Sequence, residues 1–178
     1  MIVMLRIAIL VLFIGSCSPS SEEASERSSI QQEPPRGMVG DILLDSLLDD
    51  PDFKLCGKDN RLVQYYALDE KTYDGEKWAI QNTFSTHYEV PIMDGETGLV
   101  RIRFIVNCNG ETGRFRLTSM NPDYSDKVFD STVTDQLLKV TKSLSGWKSF
   151  KRKSGRPLEY YQYLIFKLKD GQITEILP

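Results

Sequence analysis

Residues 98–118 read GLVRIRFIVNCNGETGRFRLT. In the first half, apolar side chains occupy every second position: Val100, Ile102, Phe104 and Val106. Arg101 and Arg103 lie between the first three of them. This alternation is typical of a β-strand with one buried and one wetted face. Asn109-Gly110 is a strong turn signal, and residues 114–118 form a second strand. The stretch therefore predicts an antiparallel hairpin.

A helix is predicted before this hairpin. Asp74 is the predicted N-cap, Tyr73 and Trp78 are placed for a hydrophobic staple, and Val90-Pro91 ends the element. The side chains at helical spacing share one face: Ile80, Phe84, His87 and Tyr88. We expect His87 to be a packed core residue, because the chain has one histidine and no second imidazole to complete a metal site.

A second helix and three further strands are predicted around the hairpin. The helix covers residues 131–145; Asp130 or Thr132 can cap its start and Gly146 can end it. Strands are predicted over residues 61–67, 158–168 and 173–176. Lys169-Asp170-Gly171-Gln172 turns the last two into a C-terminal hairpin.

Residues 1–16 have the features of a cleaved signal peptide. Arg6 precedes an apolar run from Ile7 to Ile14, which is far shorter than the about 20 residues that span a membrane. The following Ile14-Gly15-Ser16-Cys17 resembles the bacterial lipobox. This resemblance implies lipidation of Cys17 and, because Ser18 follows, an outer-membrane location. The alternative is a chance cysteine after an ordinary signal sequence.

The rest of the chain divides into three parts. Residues 17–40 carry the lipidated cysteine and a flexible tether rich in Ser, Glu and Pro, which is too polar to fold alone. Its acidic residues resemble a surface-export signal, so the domain is predicted on the periplasmic or the cell-surface face. Residues 41–67 form a short amphipathic helix (41–49) and a strand extension; the helix docks on its own domain or on a partner protein. Residues 68–178 form the main domain.

Cys56 and Cys108 are the two cysteines that remain once Cys17 is acylated. Outside the cytoplasm, two cysteines favour a disulfide. The alternative is two separate buried thiols. A catalytic pair of either thiol with His87 would need a third orienting group, which the sequence does not contain.

An ordered set of elements resembles the TonB C-terminal domain over about residues 76–170. The set consists of the hairpin with Gly98, Asn107 and Gly110, a helix ending Leu144-x-x-Trp147, then Gly155-x-Pro157, and a strand ending Phe166-x-Leu168. The resemblance implies an α+β fold: a two-layer sandwich in which helices pack on one face of a three- to four-stranded antiparallel sheet. It also implies binding of an outer-membrane receptor peptide by strand addition.

Three departures from this family change the expected function. The apolar N-terminal segment is short and leads to a brief tether, the position two residues after Trp147 is Ser149, and the 173–176 strand should occupy the peptide-receiving edge. We therefore expect a membrane-anchored, non-enzymatic module that binds an envelope protein or peptide. The alternative is a surface glycan-binding accessory lipoprotein that uses exposed tyrosines.

Two surfaces are candidates for such binding. Tyr161, Tyr163 and Ile165 share the strand face opposite the helices, so residues 41–67 cover them or they form a recognition patch. The second surface is a basic run with Lys151, Arg152 and Lys153 at its centre and Lys148 and Arg156 at its ends. This run is either a solvated loop or a contact for acidic glycan, lipid headgroups or protein.

Composition excludes several other functions. The chain has 178 residues, 40% of them hydrophobic, and a net charge of -3, which disfavours nucleic acid as a partner. It contains none of the G-x-S-x-G, H-E-x-x-H, P-loop or Rossmann fingerprints. We therefore predict no catalytic residues, no metal and no cofactor.

Overall fold

The predicted hairpin is the centre of the sheet in the computed structural model, which describes residues 41–57 and 62–177. Its strands are β2 (Gly98–Val106) and β3 (Thr112–Met120). The other main strands are β1 (Val63–Gln64), β6 (Tyr160–Lys169) and β7 (Gln172–Leu177), while β4 (Phe150–Lys151) and β5 (Pro157–Leu158) pair separately. The helices are α1 (Glu76–His87) and α2 (Ser131–Ser143).

The five-stranded sheet is mixed, which corrects the expected antiparallel sheet of three to four strands. Its order is β1-β6-β2-β3, and β7 also pairs with β6. β1 is parallel to β6, whereas the other pairs in this sheet are antiparallel. β1 and β7 occupy the same side of β6, at residues 160–161 and 165–169 respectively. In the described chain, no strand pairs with residues 162–164 on that side.

The main core lies between both helices and one face of the sheet. Ile80 and Phe84 of α1 and Leu137 of α2 are buried together with Phe104 and Phe166 of the sheet. The 3.6-residue spacing of apolar side chains in the helices and their two-residue spacing in the strands therefore identified the residues on the two sides of this core. This α+β arrangement agrees with the expected class.

The opposite face of the sheet is covered by the chain's own N-terminal side. Ile42, Phe53 and Leu55 pack against Ile105 and Tyr161. A disulfide joins Cys56 to Cys108, with the two Cα atoms 6.0 Å apart, and it ties this covering segment to the end of the central hairpin. Of the two alternatives that the sequence left open, a disulfide or two separate buried thiols, the structure therefore has the disulfide.

Of the two elements predicted in residues 41–67, the helix is not formed and the strand is formed only in part. Residues 41–49 make one turn instead of a helix, because Asp45 and Asp49 bond to nearby backbone: the Asp45 N–H donates to Asp49 Oδ2 at 2.8 Å and the Leu47 N–H to Asp45 Oδ1 at 2.9 Å. The 61–67 strand is limited to β1, since the chain turns into a 3₁₀ helix at Tyr65–Ala67.

The ends of α1 also differ from expectation. Gly75, not Asp74, precedes the helix, in a left-handed conformation (φ 74°) without side-chain capping. The staple is absent because Tyr73 packs on Trp147, with ring centroids 4.7 Å apart, while Trp78 is exposed. His87 is exposed rather than packed, with Nδ1 2.9 Å from the Thr83 carbonyl oxygen.

The start of α2 follows the sequence, but its end does not. Asp130 caps the helix and accepts the Thr132 N–H at 2.7 Å. The helix ends at Ser143, and Gly146 has a different role: a Cβ there would lie 2.9 Å from the Tyr73 ring. Gly146 therefore allows the 72–74 segment to lie directly beside Trp147.

Candidate functional site

Four exposed leucines lie close together in sequence at the start of the described chain. We call the set Leu43, Leu44, Leu47 and Leu48 the leucine turn; their exposed fractions are 63, 60, 93 and 69%. The chain reverses within it, where the Asp49 N–H donates to the Asp45 carbonyl at 2.8 Å. Ile42 directly before it is only 4% exposed. The leucines thus project from a segment whose start is anchored in the fold.

Arginines of β3 hold the backbone of the leucine turn. Arg116 forms a two-pronged ion pair with Asp49, at 2.6 Å from Nη1 to Oδ1 and 2.9 Å from Nη2 to Oδ2. It also donates to the Leu43 carbonyl at 2.7 Å, and Arg114 reaches the Ile42 carbonyl at 3.3 Å. The hydrogen bond from Arg116 lowers the pKa of Asp49, and the same bond raises the pKa of Arg116. These contacts fix the leucine turn against the sheet edge.

Tyr161, predicted for a recognition patch, lies beneath the covering segment. Its exposed fraction is 4%, and its hydroxyl donates to Asp41 Oδ1 at 2.9 Å. Burial, followed by the bond to Asp41, raises the pKa of Tyr161 to about 12. Tyr161 is therefore not part of an exposed recognition patch. Of the two alternatives that the sequence left open, coverage of this face by the N-terminal side describes the structure.

The other two residues of that predicted patch are partly covered. Tyr163 is half-buried and meets the Tyr65 ring edge-on at 5.1 Å between centroids. Ile165 is also half-buried and lies opposite Leu177 of β7. The pairing of β7 with β6 takes up the edge on which the family resemblance implies strand addition, as the third departure predicted.

The basic run extends from just before β4, through Lys151 of that strand, into the loop between β4 and β5. Lys151 and Lys153 are exposed and Arg152 is half-buried. The Arg152 N–H donates to the Arg156 carbonyl at 2.8 Å, so the loop closes as a tight turn. Lys148 lies 3.4 Å from a carboxylate oxygen of Asp74. The loop therefore presents its central lysines to solvent, which suits either alternative drawn from the sequence.

A groove of about 310 Å³ opens beside the unpaired part of β6. We define this groove by six of its lining residues: Tyr65, Tyr66, Thr72, Tyr73, Trp147 and Gln162. Its wall is built by backbone contacts between two distant segments, because the Asp74 N–H donates to the Gly146 carbonyl and the Lys148 N–H to the Thr72 carbonyl, both at 2.9 Å. Tyr73 and Trp147 form an isolated antiparallel bridge between them.

Polar groups lie at the base of the groove. Gln162 is 2% exposed, and its Oε1 accepts the Thr72 hydroxyl at 3.3 Å. Its Nε2 donates to the Tyr163 carbonyl at 3.1 Å. Trp147 is 5% exposed, and its Nε1 finds no hydrogen-bond acceptor among residues 41–57 and 62–177. The groove thus combines aromatic walls with a buried carboxamide, while the Trp147 Nε1 is closed off from solvent.

Sequence reasoning missed both the leucine turn and the groove. The leucines were assigned to a helix, although the Asp at positions 45 and 49 was a signal for a turn. The groove unites residues far apart in sequence, and no local pattern indicates it. Cys17 lies outside the described residues.

The described residues show neither a metal-binding cluster nor a membrane-spanning helix. Residues 41–57 and 62–177 contain no group of three His, Cys, Asp or Glu side chains arranged to hold a metal ion. Within the same ranges, no helix combines the length and apolar character needed to cross a membrane. Comparison with known proteins found no matching family, no matching curated protein and no matching solved structure.

Proposed function

We propose that this protein is a non-enzymatic lipoprotein of a bacterial outer membrane whose leucine turn binds another envelope protein or a peptide of one. The observation that supports the proposal is the exposure of four neighbouring leucines, up to 93% at Leu47. Scattered apolar side chains are normal on protein surfaces, but contiguous ones mark interaction sites. Withdrawing these side chains from water on binding supplies the driving force.

The fixed backbone of the leucine turn favours specific binding. Asp49, Arg116 and the buried Ile42 hold the segment in one conformation, and the Cys56–Cys108 disulfide follows a few residues later. A surface that is ordered before binding loses less conformational entropy when the complex forms. The leucine turn therefore suits a defined protein partner.

Acidic residues around the leucine turn indicate the chemistry of that partner. Asp41, Asp45, Asp50 and Asp52 flank it in addition to the Asp49 that Arg116 neutralises. These charges oppose anionic lipid headgroups and attract basic groups. We expect a partner surface that has an apolar centre and a basic rim, and a complex that weakens as salt rises.

The anchor belongs to the same proposal and rests on the lipobox resemblance at Cys17. A single acyl chain binds membranes weakly, whereas two or more hold a protein stably. Mass spectrometry of the full chain, purified from a Gram-negative host in detergent, should find residues 1–16 removed and acyl chains on Cys17. A free thiol at Cys17, or an uncleaved leader, would contradict the anchor.

We further infer that the domain has the two-layer arrangement of the TonB C-terminal domain. The order α1, β2–β3 hairpin, α2, Trp147 and β6 supports this resemblance. Because β7 pairs with residues 165–169 of β6, the leucine turn rather than that edge is the proposed contact. The module would therefore bind without the strand addition of the family.

The binding proposal is tested on the full chain with its leader. Native electrophoresis of mild detergent extracts should show the parent in a larger complex. The double variant Leu43→Ser/Leu47→Ser should unfold at the same temperature as the parent, because both side chains are exposed, yet lose this complex. Val128→Ser is the matched control, since Val128 is also 93% exposed. Loss of the complex in the control as well, or its persistence in the double variant, would contradict the proposal.

A further inference from the structure

We propose that the groove lined by Tyr66, Trp147 and Gln162 is a binding site for one uncharged sugar ring of an envelope glycan. This site is separate from the leucine turn. Its ligand is placed in the envelope on the strength of the proposed location, whereas the binding of a sugar ring does not depend on the leucine turn. Its volume of about 310 Å³ lies at the lower end of the range for ligand sites, about 300–1,000 Å³. A single ring with its substituents is the size of ligand that such a space accepts.

The walls of the groove suit the flat, apolar faces of a sugar ring. Tyr65 and Tyr66 meet edge-on with centroids 5.6 Å apart, and Tyr73 and Trp147 do so at 4.7 Å. Four aromatic side chains thus line one small space. Tyrosine and tryptophan are favoured in such positions because they combine a rigid apolar surface with a polar end.

The base of the groove distinguishes a sugar from a purely apolar ligand. Gln162 is almost fully buried, and the Thr72 hydroxyl is its partner at 3.3 Å, a long hydrogen bond that a ligand hydroxyl can replace or share. Thr72 itself lines the groove. A ring bearing hydroxyl or acetamido groups can hydrogen-bond to the Thr72 hydroxyl, whereas an aliphatic ligand cannot.

The rim of the groove explains the preference for an uncharged ring. Two acidic and two basic side chains stand there: Glu70, Glu76, Lys71 and Lys77. Lys71 and Glu76 form an ion pair with each other. The charges therefore balance, and the rim gives neither an anion nor a cation a net attraction.

The groove can be tested by the fluorescence of a single tryptophan. The chain has two tryptophans, so Trp78→Phe in the full chain leaves Trp147 as the only reporter. Trp78 is 72% exposed, so this change should not disturb the core. Titration with N-acetylglucosamine and methyl glucoside should shift the emission in a saturable way. Glucuronic acid and glucosamine, which carry a charge, should bind at least about tenfold more weakly.

Three variants in this background locate the binding. Tyr66→Ala removes an exposed wall and Thr72→Val removes the partner of Gln162; each should weaken binding of the better sugar by about five- to tenfold, the effect of one lost hydrogen bond or contact. Tyr124→Ala is the control, because Tyr124 is an exposed tyrosine outside the groove (71% exposed), and should change binding less than twofold.

The proposal is overturned by any of three results. The first is the absence of a saturable shift with either uncharged sugar when circular dichroism shows the chain to be folded. The second is a shift in emission that has the same size and midpoint in the Tyr66→Ala and Thr72→Val variants as in the Trp78→Phe background. The third is saturable binding of indole or cyclohexanol without binding of sugars, which would assign the groove to an apolar side chain. None of these results bears on the leucine turn.

Discussion

Asp49 and Arg116 are joined by two parallel hydrogen bonds of 2.6 and 2.9 Å, and the side chain of Asp49 is only 2% exposed. Exposed ion pairs stabilise proteins little. A sheltered pair of this geometry matters more, because removing one partner leaves the charge of the other partner without an opposite charge. The pair links the leucine turn to β3, so it connects the stability of the fold to the proposed binding surface.

Replacing Arg116 should loosen the leucine turn without unfolding the domain. Arg116→Lys keeps the charge but cannot make both hydrogen bonds. We expect a loss of about 1–3 kcal/mol in the free energy of unfolding, together with faster amide exchange at residues 43–49. Urea denaturation and hydrogen exchange measure the two effects. A variant with unchanged exchange in that segment would show that other contacts hold it.

The same pair predicts a dependence of stability on pH. Arg116 lowers the pKa of Asp49, so the stabilisation is complete above the ordinary carboxyl pKa of about 4 and is lost as the pH falls through the lower, folded-state value. The difference in unfolding free energy between the parent and Asp49→Asn should therefore be constant from pH 5 to 7 and shrink below pH 4. A difference that grows as the pH falls would contradict the assignment.

Removing the disulfide should destabilise the chain strongly. Cys56 and Cys108 are 52 positions apart, and the chain-entropy model assigns such a crosslink about 4 kcal/mol. The double variant Cys56→Ser/Cys108→Ser should lose about this amount in urea denaturation. Reductant should bring the parent to the same stability and leave the variant unchanged. Equal stability of the parent with and without reductant would show that the bond does not form.

Burial of Tyr161 predicts an effect at high pH. Its pKa is raised to about 12, mainly by burial and then by Asp41, so its contribution is present below the ordinary value of about 10 and is lost as the pH rises from 10 towards 12. Tyr161→Phe loses the hydrogen bond, which is worth about 1–2 kcal/mol at pH 8, and, because it has no hydroxyl to ionise, it also lacks this pH dependence. The stability deficit of the variant should therefore narrow from pH 9 to 11, as measured by urea denaturation; a constant deficit would argue for an exposed hydroxyl.

The parts of the fold that local patterns determine could be predicted from the sequence. Alternation at Val100–Val106 identified β2, and the helical spacing of Val133, Leu137 and Val140 identified α2. Two cysteines in a chain with a predicted signal peptide indicated a disulfide. In each case the structure follows from the spacing of apolar side chains or from the number of cysteines, both of which the sequence contains.

The candidate sites depend on contacts that no local pattern contains. The helical spacing of residues 41–49 was overruled by hydrogen bonds from the side chains of Asp45 and Asp49. Tyr161 is buried because a segment about 120 positions earlier, at Asp41 and Ile42, lies over it. The groove likewise requires the 72–74 segment to pair beside Trp147.

Photocrosslinking in intact cells tests the proposed binding surface most directly. A photoreactive phenylalanine analogue is placed at Leu47 in one strain and at Val128 in another, two positions with the same exposed fraction of 93%. We expect one discrete protein adduct at Leu47. This adduct should be absent at Val128, and its yield should fall when Arg116→Lys is added. Equal labelling at both positions, an adduct of twice the chain's own mass, or adducts to lipid alone would contradict the proposal.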